Sequence, residues 1–469
     1  MKKLITLALS LLLVLLTFIG CGGDEKTSSL QTSDDTALET SSEETSSKQS
    51  SKVSSKKTSS KKKTSSKKKT SSKKSNKSSS SKEQASSQEE EGLTEKEKIY
   101  YGMDPEMYNI ALKNEGNSAR IAALMKKAQN GGSYKIAVLG GSISRGSKAS
   151  NQLLSYGNLI CEWWRTKFPS ASFEFINAGF GSTNPEMACY RMQEDLLKYN
   201  PDFVVVDFTV NTYLDNYVYD TYSTILYKIL SQPNAPAVMA IDFTNCIKES
   251  YDSFPKRYEK TRNVPVAGIT DAIKEYDIPA MSYHTYVWQK IKEKAIEWPD
   301  IGGDYIHPND NGHLLAKNLI TAHLEKVLNA IDAYSGEITA PKVPEFTNYL
   351  NLDYIINTAS GITMSGGFSN RINDFADGNG WEYKATQNPS ALTIPIPENK
   401  NVKVFMKFEE GSLGKITVTD SNNNINVIDY ADKFKTPYLV EIGQNSGAIT
   451  LTPEMAKGGF QIYGICIQK

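Results

Sequence analysis

The residues with chemical potential sit in a few short patterns. Ser142 lies in Gly140-Gly141-Ser142-Ile143-Ser144-Arg145-Gly146, directly after an apolar run. A serine hydroxyl is a weak nucleophile until a neighbouring base takes its proton. On a glycine turn between a strand and a helix, Ser142 would be exposed, with no side chains covering it. The chain has only four histidines, His284, His307, His313 and His323. Of these, His307 alone has an aspartate three positions earlier, in Asp304-Tyr305-Ile306-His307-Pro308. That spacing lets a carboxylate on the same turn hold an imidazole in one tautomer, which is what a general base requires. Each residue also has a structural reading. Ser142 could cap the helix that follows. Gly181, in Gly179-Phe180-Gly181-Ser182-Thr183, could serve its turn, as could Asn211 in Thr209-Val210-Asn211-Thr212. No two histidines have the HExxH spacing, and the cysteines form no CxxC pair, so neither a zinc hydrolase nor a zinc finger is indicated. A GxSxG elbow is absent at Ser142.

These patterns need elements that converge. Tyr134–Leu139, Phe173–Ile176, Phe203–Phe208 and Ala237–Ile241 read as strands, and Ile278–Met281 begins a fifth. Helical periodicity covers Leu153–Phe168, Pro185–Tyr199, Tyr222–Leu230, Ile269–Tyr276, His284–Ile296 and Asn311–Ile331. Near-continuous apolar strands alternating with helices predict a parallel sheet covered on both faces. In such folds ligands bind beyond the carboxyl ends of the strands, which is where each pattern falls. Trp163 and Trp164 read as packing residues. Arg191 and Asp195, four apart on one helix, read as a structural pair.

Taken together and in this order, the segments around Ser142, Gly181, Asn211 and His307 resemble the four blocks of the SGNH, or GDSL-type, serine hydrolases. The resemblance spans roughly Tyr134 to Ala330. Asn114–Asn117 and Ile176–Thr183 look like those of bacterial carbohydrate-directed members. The resemblance implies an α/β, three-layer αβα flavodoxin-like domain. It implies Ser142 as nucleophile, His307 as base and Asp304 as its partner, with no metal or other cofactor. Oxyanion donors would be the backbone amides of Ser142 and Gly181 and the side-chain amide of Asn211. One departure stands out: the family usually shows Gly-x-Asn-Asp where this chain has Thr209-Val210-Asn211-Thr212. The implied activity is a carboxylic ester hydrolase removing acetyl groups from a polysaccharide. The alternatives are an O-acetyl esterase of peptidoglycan or another wall polymer, and a non-catalytic glycan-binding surface protein.

Beyond Tyr334 the helical pattern gives way to short alternating runs. These are Leu392–Ile396, Val402–Phe408, Lys415–Thr419, Tyr438–Ile442, Ala448–Thr452 and Phe460–Ile467. Separated by Gly, Asn and Pro turns, they predict a β-sandwich, jelly-roll-like. Trp381 and Tyr383 are its candidate exposed sugar-binding rings; the alternative is a module that only packs on the first domain.

The amino-terminal part is of another kind. Lys2 and Lys3 precede an apolar run, Leu4–Ile19, shorter than the ~20 residues of a spanning helix, and the segment reads as an export signal. Phe18-Ile19-Gly20-Cys21 resembles a bacterial lipobox, which implies a lipid on Cys21 and a membrane-anchored protein facing the extracellular side. Residues 24–95 are Ser-, Lys- and Glu-rich and have too little apolar surface to fold alone. Within them, Lys48–Lys82 carries 14 lysines and no acid. The expected organisation is a signal over 1–23, a linker over 24–95, a hydrolase domain over 96–335 and a β-sandwich over 336–469. The formal net charge is zero, with 53 basic and 53 acidic residues. From Lys98 onward, however, 35 basic residues face 40 acidic ones. A mildly acidic body excludes nucleic acid as a partner and makes a neutral glycan a better substrate than a polyanion. Apart from Cys21, the cysteines Cys161, Cys189, Cys246 and Cys466 are scattered and read as free thiols.

Overall fold

The computed structural model describes residues 92–212, 217–244, 265–372, 379–397, 400–430, 436–445 and 447–469. Cys21, the signal, most of the linker and Cys246 lie outside the described residues.

The first sheet has six strands: β1 (Leu112–Asn114), β2 (Gly132–Gly140), β3 (Ala171–Gly179), β4 (Phe203–Asp207), β5 (Ala237–Asp242) and β6 (Ala280–Ser282). Their spatial order is β1-β6-β5-β4-β2-β3. Strands β2 to β6 run parallel, in the doubly wound order of flavodoxin-like folds. The expectation of a wholly parallel sheet needs one correction, because β1 pairs antiparallel with β6 at the edge. At three residues, with the pattern Leu-Lys-Asn, β1 is too short and too polar to show a strand period. The turn after it, Asn114–Asn117, packs at the amino-terminal end of β6. The Asn117 amide donates to the Asp277 carbonyl, and a Cβ on Gly116 would lie 2.3 Å from the Pro279 nitrogen. That end is opposite to the one carrying Ser142.

Alternation along the strands builds two cores. Ile136 and Val138, Phe203 and Val205, and Met239 and Ile241 face the helices Ala119–Gln129, Tyr156–Lys167, Tyr283–Lys292 and Asp310–Asn329. Ala137 and Leu139, Val204 and Val206, and Val238 and Ala240 face the helices Pro185–Asp195, Val218–Leu230 and Pro265–Glu275. Every residue of β4 and β5 is buried, so neither strand offers a polar face. Each large side chain so enclosed contributes roughly 1.5–3 kcal/mol. Trp163 and Trp164 are packed in the first core, as expected. Cys161, Cys189 and Cys466 are buried thiols outside any disulfide.

Eleven further strands follow: β7 (Leu352–Ile355), β8 (Thr363–Ser365), β9 (Phe368–Arg371), β10 (Gly380–Lys384), β11 (Ala391–Ile394), β12 (Lys400–Phe408), β13 (Leu413–Asp420), β14 (Ile425–Tyr430), β15 (Tyr438–Asn445), β16 (Ile449–Lys457) and β17 (Gly459–Gln468). They form two antiparallel sheets. One has the order β15-β12-β17-β10-β9, with β7 also on β17, and the other β14-β13-β16-β11-β8. Val402, Val404, Ile416, Val418, Leu451 and Ile465 fill the space between them. Trp381 and Tyr383 are not exposed rings. They are 0% and 2% exposed and belong to this inner core. Strand β10 is paired on both sides, by β9 and β17, and its two aromatics point inward while Glu382 between them does not. The other face of the β15-β12-β17-β10-β9 sheet covers the α/β domain: Phe405 of β12 and Tyr463 and Cys466 of β17 join the second α/β core.

Candidate active site

The turn after β2 is built by close approach. A Cβ on Gly140 would lie 2.2 Å from Ser144 Oγ and 2.4 Å from the Asp207 carbonyl oxygen, and one on Gly141 would lie 2.8 Å from Asn211 Nδ2. Any larger residue would push the turn off the end of β4. Ser142 is the first residue of a four-residue helix, Ser142–Arg145, that closes on Gly146 with φ of 95°. Gly141, not Ser142, stands at the N-cap, so the capping role considered for Ser142 does not apply. Its hydroxyl lies 2.8 Å from His307 Nε2.

His307 arrives on the segment between the helices Trp298–Ile301 and Asp310–Asn329. The segment folds back on itself through the Gly303 N–H to His307 carbonyl bond and the Gly302–Pro308 bridge. Asp304 Oδ1 accepts from the backbone amides of Ile306 and His307, both at 2.8 Å. The same carboxylate meets His307 Nδ1 at 2.9 and 3.0 Å. Burial works to raise the Asp304 carboxyl, but the bonds from His307 and Ile306 outweigh it and hold the group below its ordinary range. An ionised carboxylate only accepts, so Nδ1 carries the ring proton and Nε2 is left to accept from the Ser142 hydroxyl. Trp298 Nε1 anchors the segment by donating to the Asp304 carbonyl at 2.6 Å.

The remaining expected residues are close by. A Cβ on Gly181 would stand 4.0 Å from the Ser142 Cβ, so nothing separates the two turns. Neither the Ser142 nor the Gly181 amide has an acceptor among the described residues. Asn211 ends a 3₁₀ turn after β4, and its Nδ2 lies against Gly141 and donates to the Thr183 carbonyl at 3.3 Å. At the position where the resembling pattern has aspartate, the buried Thr212 closes that turn by donating to the Thr209 carbonyl. The strand order reverses between β2 and β4, so Ser142 and Asn211 flank the topological switch point.

Two sets of contacts under these turns escaped the sequence reading. Arg191 does pair with Asp195, at 2.8 Å. It is also fully buried and donates to the Gly140 and Ala178 carbonyls at 2.9 and 2.8 Å. Asp207, at the end of β4, accepts from Ser144 and Thr209, yet burial pushes its carboxyl up to about 7. A charged residue at i, i+4 or an aspartate ending an apolar strand gives no sign of either contact. Burial dominates the surroundings of the other histidines. Burial holds His313 and His323 down to about 4 and His284 to about 3. His313 bonds the Ser147 carbonyl and His323 the Ser118 hydroxyl.

No family model matches the chain, and no curated protein matches it. Among solved structures, a two-domain esterase active on acetylated mannans is similar over 77% of this chain and 98% of its own, at 23% identity and a TM-score of 0.63. A two-domain esterase of the same description, co-crystallized with mannopentaose, matches over the same spans at 23% identity and a TM-score of 0.62. The likeness shows the fold: an α/β domain with a parallel sheet, followed by an antiparallel β-rich domain.

Proposed function

We propose that the protein is a serine carboxylesterase that removes acetyl groups from a polysaccharide. The observation that carries this reading is the unbroken hydrogen-bond chain from Ser142 Oγ through His307 to Asp304. In the first step Ser142 Oγ bonds to the ester carbonyl carbon and its proton passes to His307 Nε2. The carbonyl oxygen becomes an oxyanion facing the Ser142 and Gly181 amides and the Asn211 side chain. Collapse breaks the bond to the sugar oxygen, which takes the proton from His307 and leaves as an alcohol. Water, deprotonated by the same nitrogen, then adds to the carbonyl carbon of the acetyl-serine, and collapse breaks the bond to Ser142 Oγ, which takes the proton back from His307 as acetate leaves. Asp304 keeps its charge throughout and stabilises the imidazolium.

The choice of acyl group and substrate rests on the resemblance and on the shared fold of an esterase active on acetylated mannans. A neutral glycan also suits the acidic balance beyond Lys98. The lysine-rich segment 48–82 and the lipobox-like Phe18–Cys21 support a second arm of the proposal, a lipid on Cys21 that holds the enzyme at an extracellular membrane surface. At such a surface an O-acetylated wall polymer is the competing substrate. The test is acetate release from acetylated mannan, acetylated xylan and O-acetylated peptidoglycan by wild type and Ser142→Ala. We expect release from a neutral glycan that Ser142→Ala lowers by about 10³-fold or more. Equal, slow release by both proteins rejects the esterase reading. Release from peptidoglycan alone replaces the substrate. Incorporation of a labelled fatty acid that Cys21→Ala abolishes is the expected outcome for the anchor.

A further inference from the structure

The turn that offers Gly181 is not held by the α/β domain alone. Phe180, between Gly179 and Gly181, bonds through its backbone amide to the Gly140 carbonyl at 3.0 Å, two residues before Ser142. Its carbonyl accepts from Thr183 Oγ1 at 2.8 Å. The backbone on either side of Gly181 therefore follows wherever Phe180 sits. The Phe180 ring is only 2% exposed although it lies on a turn beyond a strand end. Much of its cover comes from the β-sandwich. Phe405 of β12 stands 5.3 Å away and Tyr463 of β17 4.9 Å away, edge-on at 83°. The Arg191 guanidinium lies over the ring at 5.4 Å while it binds Gly140 and Ala178.

A second contact lies just along the chain. The Gly181 turn runs into the helix Pro185–Asp195, capped by Asn184. Glu186, in its first turn, pairs with Lys403 of β12 at 2.7 Å and accepts from Tyr349 at 3.3 Å. Lys403 and Phe405 are two apart on one strand, so a single strand of the sandwich grips both ends of the segment bearing Gly181.

We infer that the β-sandwich is a brace for the oxyanion turn, with Phe405 and Tyr463 as positioning residues that fix the Gly181 amide through the Phe180 ring. Both pack on the Phe180 ring, so the effect passes through backbone placement. The inference rests on the esterase reading above and adds to it what the second domain does for the reaction. Displacing a donor by a fraction of an ångström weakens binding of the transition state far more than binding of the ester.

The experiment uses the full chain and compares wild type, Phe405→Ala, Phe405→Leu, Tyr463→Phe and Lys403→Met. Three readouts are taken: kcat and KM on a small acetyl ester, inhibition by an alkylboronic acid, and Tm. Ser142 Oγ adds to the trigonal boron, its proton goes to His307, and the tetrahedral boronate carries the charge with no group leaving. Phe405→Ala should lower kcat by about ten- to a hundredfold with little change in KM. It should weaken the boronate by the same factor. Phe405→Leu and Lys403→Met should fall between, and Tyr463→Phe, which keeps the ring, should stay near wild type. If Phe405→Ala does not fold, the Leu and Met variants carry the test. A lower Tm with kcat and boronate affinity unchanged makes the sandwich a stabilising module and overturns the brace alone. A wild type no more active than Ser142→Ala overturns the esterase reading, and the brace with it.

Discussion

The two domains of this protein use their strands in opposite ways. In the α/β domain the central strands β4 and β5 are buried on both faces, and the candidate residues Ser142, Gly181 and Asn211 sit just past strand carboxyl ends. In the sandwich the strands carry aromatics that look suited to sugars, yet Trp381 and Tyr383 are spent on the inner core. Its outward face meets the other domain through Lys403, Phe405 and Tyr463. The first region holds its candidate residues where the regular pattern stops. The second supplies support from within the regular pattern.

Substitutions in the two regions should separate accordingly. Asp304→Asn keeps the shape of the His307 turn but lets Nδ1 lose its proton to the wrong tautomer. Its kcat should fall by about 10⁴-fold with Tm nearly unchanged, measured on a small acetyl ester. Trp381→Ala should do the reverse. Removing a fully buried indole should cost roughly 3–5 kcal/mol by denaturant unfolding, while the folded fraction keeps most of its specific activity. Comparable losses of activity per folded molecule in both variants would erase the distinction.

Asn211→Ala removes one side-chain donor at the strand end and should cost about 10²–10³ in kcat, visible as weaker boronate inhibition with KM little changed. Asp207 tests the buried floor beneath that end. Its folded-state value, near 7, lies above the ordinary carboxylate value. The folded protein therefore prefers the neutral acid. The stability this contributes is complete below about pH 4 and is lost as pH rises to about 7. Asp207→Asn should flatten that decline, so that the variant gains on wild type in unfolding midpoint between those pH values and holds the gain at pH 8.

The sequence made some of this legible and hid the rest for a physical reason. Strands β4 and β5, and the second half of β2, stand out because burial on both faces leaves a continuous apolar run. Ser142, and Asp304 with His307, stand out because each sits in a short local pattern, and the fold brings them within hydrogen-bond distance. Trp381 and Tyr383 alternate with Glu382, a pattern that fits either face of a strand, and only pairing by β9 and β17 decides which face is inside. The grip on Phe180 joins residues more than two hundred positions apart, and the extra bonds of Arg191 go to backbone carbonyls that no side-chain pattern announces. Strands β7 to β10 are short and broken by Gly, Asn and Ser, which conceals their period.

The central claim is that Ser142 attacks the ester carbon. An activated alkylphosphonate ester tests it most directly, because displacement of its leaving group leaves a stable phosphonyl bond on the attacking oxygen. Mass mapping of the digested protein should place one adduct on the peptide bearing Ser142, with loss of esterase activity in step with labelling and no adduct in Ser142→Ala. Full inactivation with the adduct on another residue, or undiminished ester hydrolysis by Ser142→Ala, would contradict the account.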